Sequence, residues 1–508
     1  MFDHINVLQL GPENLSEKYN IPKEITWMYE PAWEAKDVKK FLKQYRSFDV
    51  AIIDRELSEE EVERIIKLVR AYGLFVFDDS DFNFDYLMKS RGGQKIKRDN
   101  FQDFIDERLI FYYTNSYGEH FRNNKFHVNR RANTSIKFSG YNGIEISVDQ
   151  NDNYQQLGYW RFNIPIEVGQ GIDFWLEYEK DDSLQLEMDI YVIRAGAVDF
   201  IQQEYHIEND ELETNEYITI FNNTDARGLL NVSLQAKGHG NIKIMNLHDR
   251  WSRFDEGVFL PGGERLITSN REEAFFYFEP GDLKPPLNVY FSGYKTMESF
   301  EGYGIMRGLK SPFLLVADQR LEGGGFYIGS QEYEDMIKNK ILDTMKELGF
   351  TEKDLVFSGL SMGTSGAMYY GALIGPQYVI LGKPLASLGT IAENERVNRP
   401  GGFPTSLDVL GKNMGDLSAA SIEGLNKKYW DNFANGDWSH TTFIISYMYE
   451  DDYDGNAYQE ILSRLHDTGT RVFGKGLHGR HNDDTTGIVN WYYKQFKIVA
   501  QDHYGREF

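Results

Sequence analysis

Gly359-Leu360-Ser361-Met362-Gly363 follows directly on a strand-like run, Asp354–Phe357, and opens into the small-residue stretch Thr364–Gly375. A serine flanked two places away on each side by glycine, between a strand and a helix, is the nucleophile elbow. Such a turn demands a sheet beneath the serine and a helix behind it. The serine must sit in a strained turn if its hydroxyl is to stand above the sheet, and bulkier residues at the glycine positions would strike neighbouring backbone. The helix aims its N-terminus at the site, which favours developing negative charge. A glycine-rich packing turn with a bystander serine would show the same five residues. The strand before and the small residues after favour the nucleophile. Ser358 and Ser365 lie nearby without the spacing.

A serine nucleophile needs a base, and the base needs an orienting carboxylate. In α/β-hydrolases the chain order is serine, acid, histidine. Downstream, the apolar run Thr441–Tyr449 leads into Glu450-Asp451-Asp452-Tyr453-Asp454. Asp451 is the first choice for the acid, Glu450 the second and Asp452 the third; the rest of the run is a solvated acidic loop. A further strand-like segment, Arg471–Gly476, precedes two candidate bases, His478 and His481, out of 11 histidines in the chain. One oxyanion donor should be the backbone N–H of Met362, and the other should come from Gly293 or Tyr294, after the run Leu287–Ser292. No cluster has metal-ligand spacing, so neither a metal nor a bound cofactor is expected, and the sequence does not name the acyl donor.

The hydropathy period changes twice along the 508 residues. Residues 1–122 read as a small α/β unit, Rossmann-like, structural or partner-binding. Phe48–Asp54 suits a buried strand, Ser58 and Glu61 have capping-box spacing, and Val62, Ile65, Ile66 and Val69 form one helical stripe that Gly73 closes. The region carries neither G-x-G-x-x-G nor G-x-x-x-x-G-K-[ST]. Residues 123–262 alternate with period two and read as a β-sandwich, with "GLLNVSLQA" and "NIKIMNL" as separate strands divided by the turn "KGHGN". Trp160 and Trp175, with Tyr159, could form a sugar-stacking platform; the alternation favours placing these rings in the core. Residues 263–508 return to alternating strands and helices and read as the catalytic α/β-hydrolase domain.

Composition narrows the function further. Lysine and arginine number 54 against 78 acidic residues, a net charge of −24. So acidic a surface repels phosphate backbones and anionic headgroups, so nucleic acid is not expected as a partner. The absence of cysteine removes disulfides, thiolate nucleophiles and Cys-ligated metals. The segment MFDHINVLQLGPENL shows no secretory signal, and no apolar run reaches the ~20 residues that span a bilayer, so no transmembrane segment is expected.

"VFSGLSMGTSGAMYYGA" and "GLHGRHNDDTTGIVNWYY", preceded by a sandwich and a small α/β unit, resemble the second family of accessory secretory proteins of Gram-positive accessory Sec systems. The resemblance covers the whole chain, and the "GRHND" segment is its more particular part. It implies an α/β-hydrolase domain behind a carbohydrate-binding-module-like sandwich and a Rossmann-like unit. It also implies a cytoplasmic protein, peripheral at the translocase, that O-acetylates N-acetylglucosamine on serine-rich repeat adhesins through a Ser-His-Asp/Glu acyl-enzyme and supports their export. The partners it implies are the other accessory secretory proteins, the glycosylated preprotein and the accessory Sec motor ATPase. Ser361 carries over as nucleophile and His481 as base, while Glu450 and Asp451 both remain open for the acid. A carbohydrate or acetyl esterase of the same fold and a non-catalytic export chaperone are the alternatives.

Overall fold

The structure is a computed structural model that describes residues 4–33, 41, 43, 47–113, 115–131, 134–150, 153–197, 200–214 and 216–507. Among the described residues, three sheets succeed one another in sequence order. The first is parallel and five-stranded, in the order Ile25–Glu30, Ile5–Leu10, Val50–Ile53, Leu74–Phe77, Gln94–Ile96. Its central strands are apolar because both faces are covered. The helix Glu59–Leu68 starts at a reciprocal Ser58–Glu61 capping box. It ends at Val69, in extended conformation, so Gly73 is not its cap. Gly73 is small for another reason: a Cβ there would lie 2.0 Å from the carbonyl oxygen of Asp49.

The second sheet system holds ten strands. Its spine is a single strand, Gly228–Trp251, 24 residues long. The first half pairs with Leu184–Arg194 and Gln155–Ile166; the second half pairs with Gly171–Lys180, Ile144–Asp149 and Gly118–Phe121. "GLLNVSLQA" and "NIKIMNL" are therefore one strand that passes from one sheet to the other. Gly238 and Gly240, at φ +99° and +152°, bend the chain without reversing it. Gly118–Phe121, which precedes residue 123, pairs with this long strand and so joins the second sheet system.

The third sheet has eight strands, in the order Gly263–Ile267, Glu273–Glu279, Phe313–Ala317, Leu287–Phe291, Leu355–Leu360, Tyr378–Gly382, Thr442–Met448, Arg471–Leu477. The first two pairings are antiparallel and the rest parallel, the layout of an α/β-hydrolase-type sheet. Sequence periodicity does not single out its first hairpin. Between Tyr378–Gly382 and Thr442–Met448 the chain inserts three helices, Leu388–Val397, Thr405–Met414 and Ala419–Asn435. No helix among the described residues is long and apolar enough to cross a membrane.

Buried ion pairs join the three units. Arg91 of the first lies 3.0 Å from Glu279 of the third, both nearly without solvent contact. Arg250, on the long sandwich strand, holds both Glu273 and Glu298 of the third unit, and all three are buried.

Candidate active site

Ser361 stands at the carboxyl end of Leu355–Leu360, where an open α/β sheet presents its chemistry. Its backbone is at φ 52°, ψ −121°, a conformation that costs a non-glycine residue about 1–3 kcal/mol and persists only when its surroundings enforce it. Two glycines make the turn possible. A Cβ on Gly359 would come within 2.2 Å of the Gly363 carbonyl carbon, and one on Gly363 within 2.0 Å of the Phe291 carbonyl oxygen. The helix Met362–Ile374 then leaves with its first N–H groups directed at the serine.

Ser361 Oγ lies 2.8 Å from His481 Nε2, and His481 Nδ1 lies 2.8 Å from Asp451 Oδ2. The imidazole is buried, and the ring of Tyr453 packs edge-on against it at 4.5 Å. Burial pushes the Asp451 carboxyl up, but His481 and the N–H groups of Tyr453 and Asp454 outweigh it and hold the carboxyl below its usual range. An ionised Asp451 fixes the tautomer with the proton on Nδ1, which leaves Nε2 free to accept the serine proton.

The neighbouring carboxylates have other work. Asp452 accepts the backbone N–H of His481 at 3.0 Å and pairs with Arg399 at 2.8 Å, and the Arg399 guanidinium lies over the Tyr453 ring. Glu450 and His478 form an exposed pair of their own, 3.0 Å apart, on the outside of the loop. Neither joins Ser361. Asp454 is buried, and its Oδ2 accepts the N–H groups of Ala386 and Ser387, both at 2.8 Å. Burial raises its carboxyl to about 6 against those two bonds.

A cavity of about 380 Å³ opens over Ser361, walled by Tyr294, Phe403, Tyr453 and His481. Met362, the first residue of the helix, lines it. The Gly293 N–H donates to Glu301 Oε2 at 2.6 Å. That bond engages the Gly293 N–H elsewhere; Tyr294, the other residue expected in that loop, lines the cavity. Glu301 and Lys383 line the same cavity, and no sequence pattern marks either. Burial pushes the Lys383 ammonium down, with the Asp451 and Glu301 carboxylates pulling it back.

Trp160 and Trp175 are each 2% exposed and so offer no face to a sugar. Trp160 packs on Phe126 inside the sandwich, and Trp175 lies under the guanidinium of Arg265 and beside His248. Both belong to the packing of the molecule. One trio of donor side chains among the described residues, His248, Glu273 and Glu298, brings its ligand atoms within 4.8 Å of one another. It does not fit a metal. Burial pushes the His248 imidazole down, but Glu298 beside it prevails and raises it to about 9, and Arg250 already supplies the positive charge.

A family model described as Accessory Sec system GspB-transporter matches residues 5–506. The chain is 35% identical to an accessory Sec system protein of Staphylococcus aureus over 511 residues, 98% of this chain and 97% of that one. It is 35% identical to an accessory Sec system protein of Streptococcus gordonii over 514 residues, all of both chains. Among solved structures, a chain of the Glycosylation Associate Protein (Gap123) complex from Streptococcus agalactiae superposes with TM-score 0.86 at 32% identity, over the whole of both chains.

Proposed function

The chain belongs to the Accessory Sec system GspB-transporter family, and we propose that within that system it is a serine-dependent O-acetyltransferase. The acceptor is N-acetylglucosamine on serine-rich repeat glycoproteins, modified in the cytoplasm before export. The other accessory secretory proteins and the motor ATPase act alongside it. The observation that carries this reading is the continuous relay from Asp451 through His481 to Ser361, each link 2.8 Å. A chaperone with no chemistry to perform has no use for a strained serine joined to a buried imidazole.

The steps follow from the geometry. His481 Nε2 takes the hydroxyl proton as Ser361 Oγ attacks the acetyl carbonyl of the donor. The N–H groups of Met362 and Tyr294 hold the oxyanion, each worth about 3–4 kcal/mol in the transition state. The tetrahedral intermediate collapses, and His481 returns the proton to the leaving group. A sugar hydroxyl then gives its proton to His481 as it attacks the acyl ester, and when that second tetrahedral intermediate collapses His481 passes the proton to the departing Ser361 Oγ, which releases the O-acetyl sugar and restores Ser361. Transfer prevails over hydrolysis because an oriented acceptor reaches effective molarities of about 10⁵ M or more.

The test is the mass spectrum of a co-expressed serine-rich glycoprotein. Acetylated hexosamine should appear with the wild-type protein and vanish with Ser361→Ala. An identical acetylation pattern from both would overturn the assignment.

A further inference from the structure

A second and larger cavity, about 1140 Å³, runs between the sandwich and the helical insert that walls the catalytic pocket. Pro404 lines both cavities, so the two adjoin at that residue. Small-molecule pockets span roughly 300–1,000 Å³, which makes this a groove for something longer than a single sugar.

Four lysines and six carboxylates line the groove, so it carries no excess of positive charge. Each of its four lysines stands beside a carboxylate: Lys137 is 3.1 Å from Glu145, Lys243 3.5 Å from Glu179, Lys412 3.6 Å from Glu272 and Lys428 3.0 Å from Glu334. A polyanion gains little from lysines already engaged. Hydroxyl groups gain more, because a paired acid and base offers an acceptor and a donor side by side.

Phe138, the last residue of the strand Thr134–Phe138, lines the same groove and is 66% exposed. An apolar ring left open in a groove that the exposed amides of Asn124 and Asn270 also line suits a pyranose, whose apolar face stacks while its rim bonds. The two walls are tied together at the Gly140–Asn142 turn. There the Tyr141 N–H donates to Asp408 Oδ1 at 2.8 Å and Asn142 Nδ2 donates to the Asp408 carbonyl at 2.9 Å. A Cβ on Gly140 would lie 2.2 Å from that carboxylate, so the tie depends on glycine.

We infer that this groove binds the acceptor glycan, a neutral oligosaccharide stacked on Phe138, and leads its terminal hydroxyl past Pro404 to Ser361. The inference rests on the transferase reading for the use made of the sugar, but binding is measured apart from chemistry. The protein is the Ser361→Ala variant, and the probe is a serine-rich peptide carrying N-acetylglucosamine. Phe138→Ala on that background should weaken the dissociation constant about tenfold, the worth of one stacked ring. Phe138→Trp should retain affinity. Phe200→Ala, which removes another exposed ring of the same sandwich, should leave it unchanged. Unaltered affinity in Phe138→Ala overturns the site, and equal binding of the unglycosylated peptide overturns the ligand class. If the wild-type protein, with Ser361 intact, binds the glycopeptide through Phe138 yet transfers no acetyl from a competent donor, the proposed function alone is refuted.

Discussion

At the scale of single residues, the site turns on which carboxylate meets the imidazole. Asp451 Oδ2 lies 2.8 Å from His481 Nδ1, whereas Glu450 faces the exposed His478. Asp451→Asn should therefore lower kcat about 10⁴-fold, because a neutral amide neither selects the productive tautomer nor stabilises the imidazolium. Glu450→Gln should stay within a few-fold of wild type. Steady-state hydrolysis of a chromogenic acetyl ester reads both, and a dead Glu450→Gln enzyme beside an active Asp451→Asn one would contradict the geometry. The sequence narrows the acid to three adjacent residues because a strand end places a carboxylate to within a residue or two. It cannot choose among them, since the choice depends on how the loop folds. Gly293 shows the same limit. Its loop can be located from the preceding strand, but only the fold reveals that Glu301 takes its N–H.

At the scale of elements, the acid loop is held by Asp454, whose buried carboxylate accepts the N–H groups of Ala386 and Ser387. Its carboxyl is raised to about 6 in the folded chain by burial, above the ~3.9 of an unfolded aspartate. The native state thus binds the extra proton between those values, and this group's contribution to stability falls as pH rises through about 6. Asp454→Asn removes that dependence. Wild type minus variant should improve by about 1 kcal/mol on going from pH 7.5 to pH 5, measured by urea unfolding. A difference that stays constant with pH would refute the buried-carboxylate account. Elements with a strong local signal could be read from sequence, as the capped helix Glu59–Leu68 shows. The continuous strand Gly228–Trp251 could not, because its two glycines look like a hairpin turn until the pairing partners on each side are known.

At the scale of the whole molecule, the sandwich is fastened to the catalytic unit through Arg250, Glu273 and Glu298, all buried. Arg250→Met takes one basic partner from each of two buried carboxylates, Glu273 keeping Arg265 and Glu298 keeping His248, and should cost about 3 kcal/mol, read as a lower urea midpoint. An unchanged midpoint would mean that this junction contributes little. The period changes reveal three successive units, but not that buried arginines join them, since nothing local marks Arg250 as a residue that reaches across a boundary. With the junction intact, the sandwich wall carrying Phe138 faces the helical insert across the groove.

The central claim is an acetyl group carried on Ser361 and handed to a sugar. The most direct measurement is to mix the protein with a chromogenic acetyl ester, quench rapidly, and map the acetylated peptide by mass spectrometry, with and without an N-acetylglucosamine-bearing acceptor. The account predicts acetyl on the Ser361 peptide of the wild type and none on Ser361→Ala. It also predicts that the label moves to the sugar when the acceptor is added. Acetyl that never appears on Ser361, or that leaves only as free acetate with the acceptor present, would contradict it.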